Sequence, residues 1–171
     1  HGCRTISQLF LKRVVENPDK VALREKDFGI WNEYTWRDYG EQVRWVGHGL
    51  KALGLERGDV CSIASEVNKE WMFADLGVIT MGGVTNGVYP TDAANQVEYL
   101  INDSDTCYYF AEDEEQLDKV LEVRENTPTL RKIIIFDMEG LRNFSDDQCI
   151  SFEELIELGK AHAAEHPDLW A

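Results

Sequence analysis

Residues 59–90 limit what this chain can fold into more than any other stretch. A short apolar run over 60–64, a nearly all-apolar run over 68–81, the pair Gly82-Gly83 and a second short run over 84–88 follow one another. The outer runs have the length of strands and the middle one that of a helix, so the stretch predicts a single βαβ crossover. Strands that are continuously apolar belong to parallel sheets covered on both faces. Between Trp71 and Gly83 the helix interrupts its non-polar run only at Asp75 and Thr80, which predicts burial on more than one side. Asp75 then faces a wet edge or accepts a buried hydrogen bond, and the wet edge is the simpler expectation.

The flanking sequence supplies the elements that such a crossover needs around it. Thr5-x-x-Gln8 reads as a capping box before a helix carried by Leu9, Phe10 and Val14 and ended by Pro18. Runs over 21–26 and 30–34 flank Asp27-Phe28-Gly29, which predicts a bulged hairpin with a three-residue loop guarding a sheet edge. Thr35-x-x-Asp38 opens a second helix on which Trp36, Tyr39, Val43, Val46, Leu50 and Leu53 share one face, with Gly54 placed to end it. After Pro90, Thr91 or Asp92 can cap a helix bearing Ala93, Val97, Leu100 and Ile101, and residues 102–105 read as its exit turn. A strand over 106–111, a helix over 114–124 and a strand over 132–136 repeat the alternation.

Residues 137–150 hold Gly140, Asn143 and Asp146-Asp147 without periodicity and read as a mobile loop, leaving the last parallel strand unpaired. Ser151-x-x-Glu154 then caps a final helix over 151–166 with Leu155, Ile156 and Leu158. The fold class expected is α/β: a layered αβα arrangement with a mostly parallel sheet and an amino-terminal β-hairpin. Its parts are a helix, hairpin and helix over 6–53, a parallel α/β core over 59–136, the loop over 137–150 and the final helix. A sheet with an unpaired strand looks like a portion of a larger domain.

Composition excludes several function classes. The 171 residues carry 32 acidic against 17 basic side chains, a formal charge of -15, so nucleic acid is not an expected partner and no basic run offsets the charge. Five Trp, seven Phe and six Tyr supply the large apolar groups that disordered chains lack. Cys3, Cys61, Cys107 and Cys149 are far apart, without metal-ligand or disulfide-framework spacing, and read as small hydrophobes in a reducing compartment. With no signal peptide and no long apolar run, a cytoplasmic address is expected, although a first residue of His1 rather than Met suggests a tag remnant or an excised segment.

Several motifs match a pattern and fail its context. Gly47-His48-Gly49-Leu50-Lys51-Ala52 spells the dinucleotide pattern GxGxxA, but lies inside a helix, where small residues serve a close helix contact. His162-Ala163-Ala164-Glu165-His166 spells HxxEH, yet two ligands do not make a zinc site and Pro167 ends the helix at once. Asn102-Asp103-Ser104 and Asn143-Phe144-Ser145 fit the glycosylation acceptor pattern and read as turns. The acidic run over 112–115 reads as a solvated helix start. A thiol pair of Cys61 with His48 would require the fold to join them. No metal ligands and no catalytic residues are expected.

Together the pieces resemble the amino-terminal portion of the AMP-forming acyl-CoA synthetases, the adenylate-forming enzymes, and within them the long-chain fatty acid branch. The likeness runs over nearly the whole chain. It is carried by Thr35-Trp36-Arg37-Asp38-Tyr39, Leu53-Gly54-Leu55, Gly58-Asp59-Val60-x-Ser62-Ile63, Asn68-x-Glu70-Trp71 and Gly82-Gly83-Val84-x-x-x-Val88-Tyr89-Pro90-Thr91. The branch rests on Asn68-x-Glu70-Trp71 and Tyr89-Pro90-Thr91.

The resemblance implies a ligase of fatty acid metabolism that joins a fatty acid to CoA through an acyl-adenylate, using ATP, Mg2+ and CoA. The family's phosphate loop, aromatic-Thr-Glu segment, ribose-binding Asp and lid lysine have no counterpart in these residues, so the piece alone is expected to bind none of these and to be inactive. Tyr89 and Thr91, which follow a parallel strand, are the residues expected nearest to substrate. The remainder of its own chain is the expected partner, and peripheral membrane contact and a homodimer are compatible with the resemblance. The rival reading is a non-catalytic binding or scaffold module that offers its sheet edge and Trp170.

Overall fold

The computed structural model describes residues 2–170; His1 and Ala171 lie outside the described residues, and with His1 the expectation drawn from it. Helix α1 (Ile6–Glu16) starts at Thr5, whose side chain accepts from the Gln8 amide, while Gln8 Oε1 reaches back to the Arg4 amide. Strands β1 (Val21–Asp27) and β2 (Ile30–Thr35) pair antiparallel as a separate two-stranded sheet. Two residues join them, not three. Asp27 pairs with Ile30, Phe28 and Gly29 both take positive φ (43° and 82°), and the irregularity sits at Val21/Leu23 instead. The hairpin guards no edge of the larger sheet. It packs on helix α2 (Trp36–Ala52) and on the start of helix α3 (Lys69–Thr80), through Tyr34 against Phe73 and through the Lys69–Glu25 pair at 2.8 Å.

The capping box that opens α2 is complete: Thr35 Oγ1 accepts from the Asp38 amide and Asp38 accepts from the Thr35 amide. The apolar stripe read from the sequence is the buried one, with Val43, Val46 and Leu50 fully enclosed. Strand β3 (Val60–Ala64), α3 and strand β4 (Val84–Val88) form the βαβ crossover, and Asn68 caps α3 by accepting from the Trp71 amide. β3 is buried as its composition demands, but β4 is not, since Val84 is 49% exposed. The reason is topological. The next unit, helix α4 (Ala94–Ser104) and strand β5 (Thr106–Ala111), crosses back over β3 and leaves β4 at the edge.

The sheet continues through helix α5 (Glu114–Val123) and strand β6 (Lys132–Ile135) to strand β7 (Cys149–Ser151). Its order is β4-β3-β5-β6-β7, all parallel, with Ile134 opposite Ile150. Thus the stretch read as a loop ends in a strand, and β6 is paired on both sides. Three residues are too short to announce themselves by alternation. A capping box at Ser151 and Glu154 then opens helix α6 (Phe152–Glu165).

Alternation along the central strands divides the core into two layers. Cys61, Ile63, Tyr108, Phe110 and Ile134 meet α1, α2, α3 and α6 on one face. Tyr109, Ala111, Ile133 and Ile135 meet α4 and α5 on the other. Burial of each large apolar side chain stabilises by roughly 1.5–3 kcal/mol, so β5, with all six residues buried, is the strand the sheet can least lose. A polar chain runs through the second layer: Asn86 Nδ2 donates to Ser62 Oγ, which lies 2.6 Å from Thr106 Oγ1, itself 2.7 Å from Ser104 Oγ.

Helix α2 lies between α3 and α6, and glycines set the spacing. A Cβ on Gly49 would stand 2.4 Å from the Leu155 carbonyl oxygen, and one on Gly159 only 1.8 Å from that of Trp45. Gly47 and Gly77 make the matching contact between α2 and α3. The GxGxxA pattern is therefore a close helix contact, as its position inside a helix implied. Asp75 is half-buried beside Tyr39, whose hydroxyl donates to the Met72 carbonyl and whose pKa burial and then Asp75 push up.

Candidate functional site

In open parallel sheets, ligands collect outside the carboxyl ends of the strands, at the point where the strand order reverses. Here the chain leaves β3 towards β4 and returns to β5 on the other side, so that point lies between the ends of β3 and β5. The crevice is already filled. Glu112, the residue after β5, places Oε2 2.8 Å from the Glu66 amide and Oε1 3.3 Å from Asn68 Nδ2. The Glu112 backbone is held as well, donating to Ala64 and accepting from Asp137. Glu112 is thus no solvated helix start: it ties the loop after β3 to the loop after β5. Asp113 caps α5 by accepting from the Gln116 amide.

The remaining opening lies one strand over. The loops after β3 and β4 enclose a cleft of about 350 Å³ lined by Glu66, Val67, Trp71, Tyr89, Pro90 and Thr91, among others. Val67 (79% exposed) and Tyr89 (76%) form its rim. Thr91 is exposed too, so both residues singled out in the sequence reach this cleft.

The loop that carries them is fixed from beneath. Asp92 accepts from the Tyr89 amide, and its own amide donates back to the Tyr89 carbonyl. The Pro90 carbonyl accepts from Lys119 Nζ at 2.6 Å and from Gln116 Nε2 at 3.3 Å. This use of Asp92 displaces the expected cap: Ala93 takes the N-cap position before α4, with Gln96 Oε1 accepting from its amide. At the other end α4 runs to Ser104, so Asn102-Asp103-Ser104 is helical, and Asp105 takes the left-handed backbone (φ 53°). Gln116 and Lys119 went unnoticed in the sequence. Their only mark was two polar residues on the inner face of α5.

The HxxEH residues meet a third histidine that sequence distance concealed. The His162 and His166 rings are 4.4 Å apart, and His48 Nδ1 on α2 lies 2.9 Å from His162 Nδ1. At that distance one nitrogen donates and the other accepts, so the contact needs at least one neutral ring. His48 is fully buried, and burial, followed by His162, Arg44 and His166, pushes its pKa down to about 4. His162 is lowered as well, first by burial and then by His166. Among the described residues no group of three His, Cys, Asp or Glu is placed to hold a metal ion. Cys61 is buried in β3, and burial followed by Cys107 raises its thiol pKa.

Neither the glycine pattern nor the crevice suits the phosphate groups of ATP or CoA. The glycine pattern that could cradle a phosphate is packed against Met81 and Leu155, and the crevice amide of Glu66 already holds a carboxylate, which would repel a phosphate. No described helix is long and apolar enough to cross a membrane.

The sequence profile of the AMP-binding enzyme family matches residues 10–168. The long-chain-fatty-acid–CoA ligase ACSBG2 of Xenopus laevis is 33% identical over 156 residues, which cover 91% of this chain and 21% of that protein. The long-chain-fatty-acid–CoA ligase FadD15 of Mycobacterium tuberculosis is 31% identical over 119 residues, 70% of this chain and 20% of that one. The chain thus spans about a fifth of the length of the curated relatives it matches. Among solved structures, the acetoacetyl-CoA synthetase from Streptomyces lividans superposes with a TM-score of 0.77 at 24% identity, over 88% of this chain and 24% of that one. The anthranilate CoA ligase AuaEII in complex with anthranoyl-AMP gives 0.75 at 22% identity, over 88% and 26%. At that identity the likeness is one of fold.

Proposed function

Because this chain belongs to the AMP-binding enzyme family, we propose that its 171 residues form the amino-terminal portion of the AMP-binding domain of a long-chain fatty acid CoA ligase. The overall reaction proposed for the whole protein joins a fatty acid to CoA with conversion of ATP to AMP and pyrophosphate. The observation that carries the reading is the profile match across residues 10–168, and long-chain fatty acid CoA ligases among the relatives support the choice of branch.

Within such an enzyme these residues support substrate binding rather than perform the chemistry. Lys119 and Gln116 hold the Pro90 carbonyl and Glu112 holds the loop after β3, so Tyr89 and Thr91 are presented on a rigid base. A loop fixed in advance loses little entropy when a ligand meets it. We assign Tyr89 and Thr91 a substrate-proximal role, with cytoplasmic location and use of Mg2+ as parts of the same reading. The 171-residue chain alone is inactive in this account.

ATP–pyrophosphate exchange by the full-length protein, with saturated fatty acids of graded length, tests the proposal. Exchange that depends on a long-chain acid supports it, with none from the 171-residue chain. No exchange with any carboxylate removes the ligase reading and leaves the scaffold module.

A further inference from the structure

Strand β4 lies at the edge of the sheet without the features of an edge. Helix α3 packs on one of its faces and α4 on the other, and its pairing with β3 runs unbroken from Val84 to Val88. Among the described residues nothing pairs with its outer side. The Val84 amide donates inward to the Asp59 carbonyl, so along a parallel ladder the alternate residues Thr85 and Gly87 turn amide and carbonyl outward. Free edges of natural sheets are very short, charged, bulged or interrupted by proline, because an open row of donors and acceptors recruits other strands. Val84-Thr85-Asn86-Gly87-Val88 has none of these protections. The far edge has two of them: β7 is three residues long and begins just after Asp146-Asp147.

We propose that β4 is an interior strand of the intact protein, paired on its outer side by a strand from the part of the chain outside these 171 residues. The chain spans about a fifth of the length of its curated relatives, so the remainder is several times longer than the piece and tethered to it. A tethered segment meets the edge at an effective concentration on the order of millimolar, well above that of a second copy in solution. Charge argues the same way, since two bodies that each carry a formal charge of -15 repel one another. Val84, 49% exposed in this chain, is then a surface that the remainder covers.

The added strand also reaches the cleft. Neighbouring strands lie about 4.8 Å apart, and the carboxyl end of β4 runs directly into Tyr89, Pro90 and Thr91. Whichever way the strand runs, one of its ends stands beside those residues, and the loop at that end forms the outer wall of the cleft. Access to Tyr89 and Thr91 is therefore set by two loops, the one held by Lys119 and Gln116 and the one that the added strand brings. The inference rests on the reading of this chain as part of a longer protein, and not on the ligase activity proposed for it.

Hydrogen–deuterium exchange of the full-length protein, resolved to single amides, is the test. The outward Thr85 amide exchanges at least about a hundredfold more slowly than an unpaired amide, as the inward amides of Val84 and Asn86 do. A photo-cross-linker, p-benzoylphenylalanine in place of Val84, then captures a peptide of the same chain from outside the 171 residues. Exchange of Thr85 at the unpaired rate overturns the proposal, and this measurement needs no variant to fold. A cross-link between two copies overturns it as well, by assigning the edge to a dimer, and so does one confined to the 171 residues. Absence of ATP–pyrophosphate exchange with every carboxylate would remove the ligase reading and leave these results unchanged, so the two failures are told apart.

Discussion

Lowering the pH strains the histidine contact between α2 and α6, and the size of the effect follows from His48. An unperturbed histidine titrates near 6.5, whereas buried His48 does so at about 4. The unfolded chain therefore takes up this proton first. Stability from the neutral imidazole is full above pH 6.5, declines as the pH falls, and is lost at about 4. The interval corresponds to about 3 kcal/mol, of which about 2 kcal/mol is gone by pH 5. His162 titrates in the same direction, and a second proton in the pair would set two N–H donors against each other at 2.9 Å. Arg44 and Lys51 on α2 oppose that proton, and only Glu165 on α6 favours one, at His162. Urea denaturation of wild type and His48→Gln at pH 8 and pH 5 isolates the term, because carboxylate contributions are common to both. The stability lost between the two pH values should be about 2 kcal/mol smaller in the variant. Identical losses would show that His48 is not kept neutral by its burial, and the reasoning from the 2.9 Å contact would fail with it.

Glycine substitutions separate close contact from open space. Gly159→Ala should cost about 3 kcal/mol in urea denaturation despite its better helix propensity, because its Cβ meets the Trp45 carbonyl, while Gly87→Ala in edge strand β4 should gain about 0.5 kcal/mol. Thr35→Ala removes the acceptor that caps α2 and should lower stability by about 1 kcal/mol, read as a shift in urea midpoint at constant slope. Cys61, buried with its thiol pKa raised, should escape iodoacetamide at pH 8 in the folded protein and react once urea unfolds the chain, as peptide mass mapping can follow.

What the sequence made legible was what neighbours in the chain decide. Thr35 and Asp38 lie three residues apart, as do Ser151 and Glu154, so their capping boxes could be read directly. The apolar length of residues 60–88 likewise revealed the crossover, because period and run length are local properties. The exposure of β4 could not be read, because it depends on β5 returning to the far side of β3. Strand β7 has three residues and borrows its register from β6. The hairpin turn was misread because Phe28 occupies a position where Asn would have announced a two-residue loop. At the cleft, the position of Tyr89 and Thr91 after a strand was visible, but their support was not. Glu112, Gln116 and Lys119 act on loops more than twenty residues away, and nothing in an acidic run or an amphipathic helix says which loop it will hold.

The placement of α2 between α3 and α6 also orders events in time. During synthesis α2 is followed within thirty residues by its partner α3, but α6 begins only at Phe152, a hundred residues after α2 ends. At roughly 5–20 residues per second, the groove around Gly49 waits about 5–20 s for the helix that fills it. Through that interval the nascent chain lacks the helix that covers this apolar surface in the folded structure. A chaperone that holds exposed apolar segments has its longest opportunity here, and pausing of the ribosome between residues 52 and 152 would lengthen it.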